Sequence, residues 1–154
     1  MNIFKVKERL ALIATVFLSV LIMGGCTTAV KYSYDSKINF AERTSYTWAP
    51  SSAMYRQDLL LEKNVQVFAD QLLAEKGFTR MSEKYDLMIS MIYEFDSGID
   101  EYSYKLRMLT LNMYKIENKE LVWRGTAFGT INTDAASDDL KQAVQGILSN
   151  FPPN

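Results

Sequence analysis

The chain has 154 residues, 48% of them hydrophobic, with 17 Lys and Arg against 18 Asp and Glu, one cysteine and no histidine. Its near-neutral charge gives no electrostatic reason to bind nucleic acid. The missing histidine removes the commonest general base and metal ligand, and a single cysteine rules out an internal disulfide.

Lys5, Lys7 and Arg9 open the chain with positive charge, and residues 10–23 form an apolar run broken only by Thr15 and Ser19. A run of about 14 residues is short of the ~20 that a spanning helix needs. A basic start, an apolar stretch and then small residues is the order of a secretory signal peptide. The run ends at Met23-Gly24-Gly25-Cys26. This ending resembles the lipobox of bacterial lipoproteins, with Met23 in the place of the usual leucine. The resemblance implies cleavage between Gly25 and Cys26 and acylation of the Cys26 thiol. Residues 1–25 are then a lipoprotein signal peptide, residues 26–29 a lipidated cysteine and short tether, and residues 30–152 one domain. Removing Lys5, Lys7, Arg9 and Glu8 leaves 14 basic against 17 acidic side chains, a net charge of −3. By the sorting rule of Gram-negative lipoproteins, Thr27 after the cysteine favours the outer membrane, on its periplasmic side. A tether this short spans only about 10–14 Å, which sets the folded body directly on the membrane.

Along the domain, Val30, Tyr32 and Tyr34 alternate as on a strand. Residues 44–48 read as a second short strand or extended edge, stopped by Pro50. Asp58 is the expected N-cap of a helix over 59–76, with Gly77 as its C′ residue. Leu61, Val65, Phe68 and Leu72 form its apolar stripe. Residues 85–95 alternate as a strand that places Leu87, Ile89, Met91, Tyr93 and Phe95 on one face, while Met88 and Ile92 keep the other partly apolar, as a central strand does. Residues 105–116 and 121–131 read as a hairpin across Glu117-Asn118-Lys119-Glu120, with Asn118 taking the positive φ of the turn. On its second strand Gly125, Ala127 and Gly129 share a face and predict a close helix approach, with Trp123 at the edge of that contact. A last helix over 138–150, capped by Ser137 and stopped by Pro152-Pro153, repeats the stripe with Leu140, Val144, Ile147 and Phe151. The expected fold is α+β: a mainly antiparallel sheet of four to five strands with two helices packed on one face.

The order of Tyr46-Thr47-Trp48, Glu75-Lys76-Gly77-Phe78, Tyr85-Asp86-Leu87-Met88-Ile89, Leu121-Val122-Trp123-Arg124-Gly125 and Ile147-Leu148-Ser149-Asn150-Phe151-Pro152 resembles the DUF4136 family. Those are envelope lipoproteins of Gram-negative bacteria without an assigned general function. The resemblance spans residues 28–152 and implies one β-rich domain, but carries no catalytic residue with it.

Three local features are candidates for function. Arg124 would offer its guanidinium fork to a carboxylate or phosphate of a partner, or else pair with a carboxylate on a neighbouring strand. The acidic loop 94–102 would present Ile99 and Tyr102 as interaction anchors, or serve as a solvated connection; its spacing matches no EF-hand, and no metal is expected. Tyr32, Tyr34, Tyr46, Tyr55, Tyr93, Tyr102, Tyr104 and Tyr114 fall on strands and their edges. Aromatic residues are frequent at interfaces, so an aromatic sheet face left bare would bind a partner or an acyl chain; ordinary β-propensity plus burial is the plainer account of them. No Gly-x-Ser-x-Gly elbow occurs and no spacing singles out a carboxylate pair. The expectation is a lipid-anchored periplasmic domain, non-catalytic and without cofactor, that binds an envelope protein partner close to the membrane. The alternative is a carrier of a lipid or hydrophobic small ligand; a hydrolase is the weaker third.

Overall fold

The computed structural model describes residues 28–50, 58–96, 105–134 and 137–153. Cleavage and lipidation at Gly25 and Cys26, the anchors Ile99 and Tyr102, and Tyr55 and Tyr104 lie outside the described residues. Six strands are present among those described: β1 (Ala29–Tyr34), β2 (Ser45–Trp48), β3 (Thr79–Arg80), β4 (Leu87–Phe95), β5 (Lys105–Lys115) and β6 (Leu121–Asn132). Two helices, α1 (Leu59–Glu75) and α2 (Asp139–Leu148), and a 3-10 turn at Phe40–Glu42 complete them.

The strands lie in the order β1-β6-β5-β4-β2-β3. β1, β6, β5 and β4 pair antiparallel, whereas β2 runs parallel to both β4 and β3. The sheet is therefore mixed and six-stranded, not antiparallel with four to five strands. The reason lies in the β2-α1-β3 crossover, since parallel neighbours need a helix-length connection. β3 has only two residues, yet Thr79 N–H donates to Thr44 at 2.8 Å and Met81 N–H to Tyr46 at 2.7 Å. These bonds make β2 an interior strand and not the edge its sequence suggested.

Asp58 caps α1 by accepting from the N–H groups of Leu60 (3.1 Å) and Leu61 (3.0 Å). Gly77 ends that helix at φ 85°, which a Cβ would strain. Its buried line runs through Leu61, Val65, Ala69 and Leu73, with Phe68 and Leu72 only partly buried beside it. The helix is thus rotated from the expected stripe so that small Ala69 faces inward. On α2 the expected line holds: Leu140, Val144, Ile147 and Phe151 are all buried. Asp138 occupies its cap position without a side-chain bond, while Ser137 Oγ accepts from Asp139 N–H at 3.2 Å.

Both helices cover the sheet face that carries Leu87, Ile89, Leu109, Leu111, Met113, Trp123 and Ala127, each no more than 1% exposed. Phe151 sits among Phe40, Phe78 and Trp123 at ring separations of 5.3, 5.0 and 5.2 Å. Gly125 lies under that packing. A Cβ there would stand 2.4 Å from Trp123 Cη2 and 2.7 Å from Ile147 Cγ2, so the indole and α2 both need the missing side chain. Gly129 plays a different part from the one expected: its φ of 141° falls where the β5–β6 register shifts, with only Thr28 near it. That shift and its β4–β5 counterpart bring Phe95, Leu106 and Ile131 into one row, with Leu106 and Ile131 fully buried. In the β5–β6 turn Lys119, not Asn118, takes the positive φ (57°), because the Asn118 carboxamide oxygen accepts from Glu120 N–H at 3.2 Å.

Candidate functional site

The second face of the sheet is left bare by both helices. Period-two alternation and the register place its side chains in rows across the strands. One row is Glu94, Met108, Phe128 and Ala29; the next is Ile92, Thr110, Thr126 and Lys31; the third is Ser90, Asn112, Arg124 and Ser33. A purely solvated face would need no order. Here the two threonine hydroxyls are 2.9 Å apart and only 5% and 7% exposed. Asn112 is fully buried; its Oδ1 accepts from Arg124 Nε at 2.7 Å and its amide reaches Ser90 Oγ at 3.5 Å.

Arg124 thus has a role that neither expectation described. Its neighbour is a buried carboxamide, and among the described residues no carboxylate pairs with it. The bond through Nε holds the plane of the guanidinium of this exposed residue, and a fork held in this way suits a bidentate carboxylate or phosphate. Asn112, Thr110, Thr126 and Ser90 went unremarked in the sequence. Their signal was legible in Leu109-Thr110-Leu111-Asn112-Met113, where polar residues alternate with a core face.

The described tyrosines do not form a bare aromatic face. Tyr46 and Tyr93 stand on the covered face and bond to α1: Tyr46 donates to Asp70 at 2.7 Å, and Tyr93 donates to Glu62 at 2.9 Å while accepting from Asp58 N–H at 2.9 Å. Burial foremost, then the Asp70 carboxylate, pushes the Tyr46 hydroxyl well above its ordinary range. Burial foremost also raises Tyr93. Both stay protonated at neutral pH and act as bridges. Among the described tyrosines of that set, Tyr114 alone is placed by register on the bare face. Tyr32 and Tyr34 face the other way and, with Ser149, Asn150, Pro152 and Pro153, line a cleft of about 270 Å³ beyond the end of α2. Among the described residues no group of His, Cys, Asp and Glu is arranged to hold a metal, and no helix is long and apolar enough to cross a membrane.

The model of the DUF4136 family, described as a domain of unknown function, matches residues 30–153. No protein of curated function matches the sequence. Among solved structures, a PDZ domain protein from Parabacteroides distasonis is similar at TM-score 0.62 and 16% identity, over 82% of this chain and 36% of that one. This chain therefore spans about a third of that protein's length. A PelC dodecamer from Paraburkholderia phytofirmans is similar at TM-score 0.57 and 15% identity, covering 80% and 95% of the two chains. A DUF4136 family protein from Bacteroides thetaiotaomicron is similar at TM-score 0.57 and 14% identity, covering 80% and 94%. At these identities the likeness is one of fold.

Proposed function

The chain belongs to the DUF4136 family, and from that premise we propose that it is a lipid-anchored, non-catalytic envelope domain that binds a protein partner close to the membrane. Acylation at Cys26 holds it, and Thr27 directs it to the periplasmic side of the outer membrane. One observation carries the binding reading: the bare sheet face is organised around Arg124, whose fork is set by a buried Asn112 and has no carboxylate of its own among the described residues. An order of that kind, built on the side away from the core, fits recognition of a carboxylate on a partner. The carrier alternative draws less support, because the space between sheet and helices around Gly125 is filled by Trp123 and Ile147.

A second copy of the chain is the simplest partner, since a PelC protein of similar fold is a dodecamer. In-cell crosslinking of the full-length protein, followed by affinity purification and mass spectrometry, tests the reading. A defined partner captured by the wild type and lost in both Cys26→Ala and Arg124→Ala supports it. A wild type that captures neither another protein nor itself overturns it.

A further inference from the structure

The sheet ends in two unlike edges, β3 and β1. β3 has only two residues, too few to template another strand. β1 has six, all exposed but Val30, and it pairs with β6 from Ala29 to Tyr34 without a break in register. Beyond its end, Asp35 N–H donates to Val122 C=O at 3.0 Å. Hydrogen-bonded pairs alternate along an antiparallel ladder, so Ser33, Lys31 and Ala29 also bond toward β6. The N–H and C=O groups of Val30, Tyr32 and Tyr34 therefore point away from the sheet. Among the described residues these outward groups have no backbone partner.

A cleft adjoins this open edge on the helix side. Val30 lies under α2, its Cγ2 3.0 Å from where a Cβ of Gly146 would stand. Past the helix end, Tyr32 (50% exposed) and Tyr34 (41%) line the cleft of about 270 Å³ with Ser149, Asn150, Pro152 and Pro153. Its far wall is held by Phe151, which is fully buried among Phe40, Phe78 and Trp123. The volume is below the ~300–1,000 Å³ of sites that enclose whole small molecules, and it suits one large side chain. None of the lining residues is charged and two phenol rings flank the space, so the side chain it suits is aromatic.

Side chains of a strand added here would alternate between the cleft, beside Tyr32, and the bare face, beside Lys31 and Ser33. The ionisable groups of that face next to β1 are Lys31, Arg124 in the row of Ser33, and Asp35 past the end of the strand. Asp35 Oδ1 accepts from Lys37 N–H at 2.9 Å. Lys31 has no carboxylate partner among the described residues, and Glu94, the acid of the Ala29 row, pairs with Arg107. Asp96, Asp134, Asp138 and Asp139 gather past the Ala29 end, around the Lys105 and Asn132 pair. The middle of the edge therefore meets positive charge alone, which suits a carboxylate.

We propose that the open edge of β1 is a docking site for an extended segment of a partner protein. The segment adds a strand through Val30, Tyr32 and Tyr34, sets an aromatic side chain in the cleft, and places the carboxylate of an adjacent residue beside Lys31. Main-chain bonds supply the attachment and the cleft supplies the selectivity. The site goes beyond the Arg124 reading and stands apart from it, because every residue it needs lies on β1 or follows α2.

The test screens the full-length protein, in detergent micelles, against a phage-displayed library of random linear peptides. We expect enriched sequences with Asp or Glu directly beside an aromatic residue, bound about tenfold more weakly by Tyr32→Ser and by Lys31→Glu. Both side chains are exposed, so the variants should keep the fold, which circular dichroism checks. Amide hydrogen exchange read by NMR reports on the edge itself. The Tyr32 and Tyr34 amides should exchange freely in the protein alone and become protected when a selected peptide is bound. Peptides that bind without protecting those two amides, or that bind both folded variants as tightly as the wild type, overturn the proposal. So does a folded wild type that enriches no such sequence. Tyr32 and Tyr34 amides already protected without peptide also overturn it, and a dimer in sedimentation would then assign the edge to a second copy.

Discussion

Tyr46 donates its hydroxyl proton to Asp70 at 2.7 Å, joining the interior strand β2 to the middle of α1. Asp70 also accepts from Trp48 Nε1 and Arg80, both at 2.9 Å, so one carboxylate gathers β2, the residue ending β3 and the helix between them. Two turns earlier on the same helix, Glu62 accepts from Tyr93 of β4. The helix is fastened to the sheet by two tyrosine–carboxylate bonds. Replacing Tyr46 by phenylalanine keeps the buried ring and removes one bond, at an expected cost of about 1 kcal/mol. Asp70→Ala, which leaves two indole and phenol donors without an acceptor, should cost about 2–3 kcal/mol. Urea denaturation of the two variants checks the order.

The same bonds predict a response to alkali. Tyr46 and Tyr93 both ionise at higher pH in the fold than in the unfolded chain. Their contribution to stability is therefore complete below the unfolded tyrosine value of about 10 and is lost as pH rises above it. Thermal melts across that range should show a falling midpoint. In Tyr46→Phe the fall should be shallower, because one of the two groups no longer titrates. An identical slope in the variant would separate alkaline unfolding from these bonds.

Gly125 and Gly77 should fail on substitution for different reasons. At Gly125 an alanine Cβ meets the Trp123 indole and Ile147, so Gly125→Ala should cost about 1–3 kcal/mol through overpacking, and valine more. At Gly77 nothing lies within 4 Å, and only the backbone angle resists a side chain. Gly77→Ala should cost about 1–2 kcal/mol, and Gly77→Asn less, since asparagine tolerates the left-handed region. Equal losses for Ala and Asn at Gly77 would mean that crowding, not φ, sets the preference.

Much of this was legible in the sequence, and what was not had physical causes. The cap at Asp58, the stop at Gly77, the buried line of α2 and the clearance at Gly125 depend on neighbours in the chain or on period, and they stand where the residues placed them. β3 was invisible because Thr79-Arg80 is too short for a period; it is a strand only by its bonds to β2. The rotation of α1 toward Ala69 is decided by the surface it packs on, which its own stripe does not record. Aromatic content alone could not assign tyrosines to a face: burial drew Tyr46 and Tyr93 to the helix side, where carboxylates of α1 receive their hydroxyls. The bare face is instead marked by Thr110 and Asn112, two polar residues interleaved with three core ones.

Arg124 supplies the prediction that separates architecture from recognition. Arg124→Ala strips the acceptor Oδ1 of fully buried Asn112 of its donor, so it should destabilise the domain by about 1–3 kcal/mol as well as abolish partner capture. Capture alone is then ambiguous, and two further variants resolve it. Arg124→Lys keeps the positive charge but neither the fork nor the Nε bond; it should capture poorly, as a bidentate site does with an ammonium. Asn112→Leu removes the buried acceptor, lets the guanidinium rotate and keeps the charge, so capture should weaken while Arg124 remains. If Arg124→Lys captures as the wild type does, the recognition is of charge alone and the ordered guanidinium plane has no part in it. If Asn112→Leu captures normally in a folded domain, the buried amide serves stability only, and the partner reads the fork however it is held.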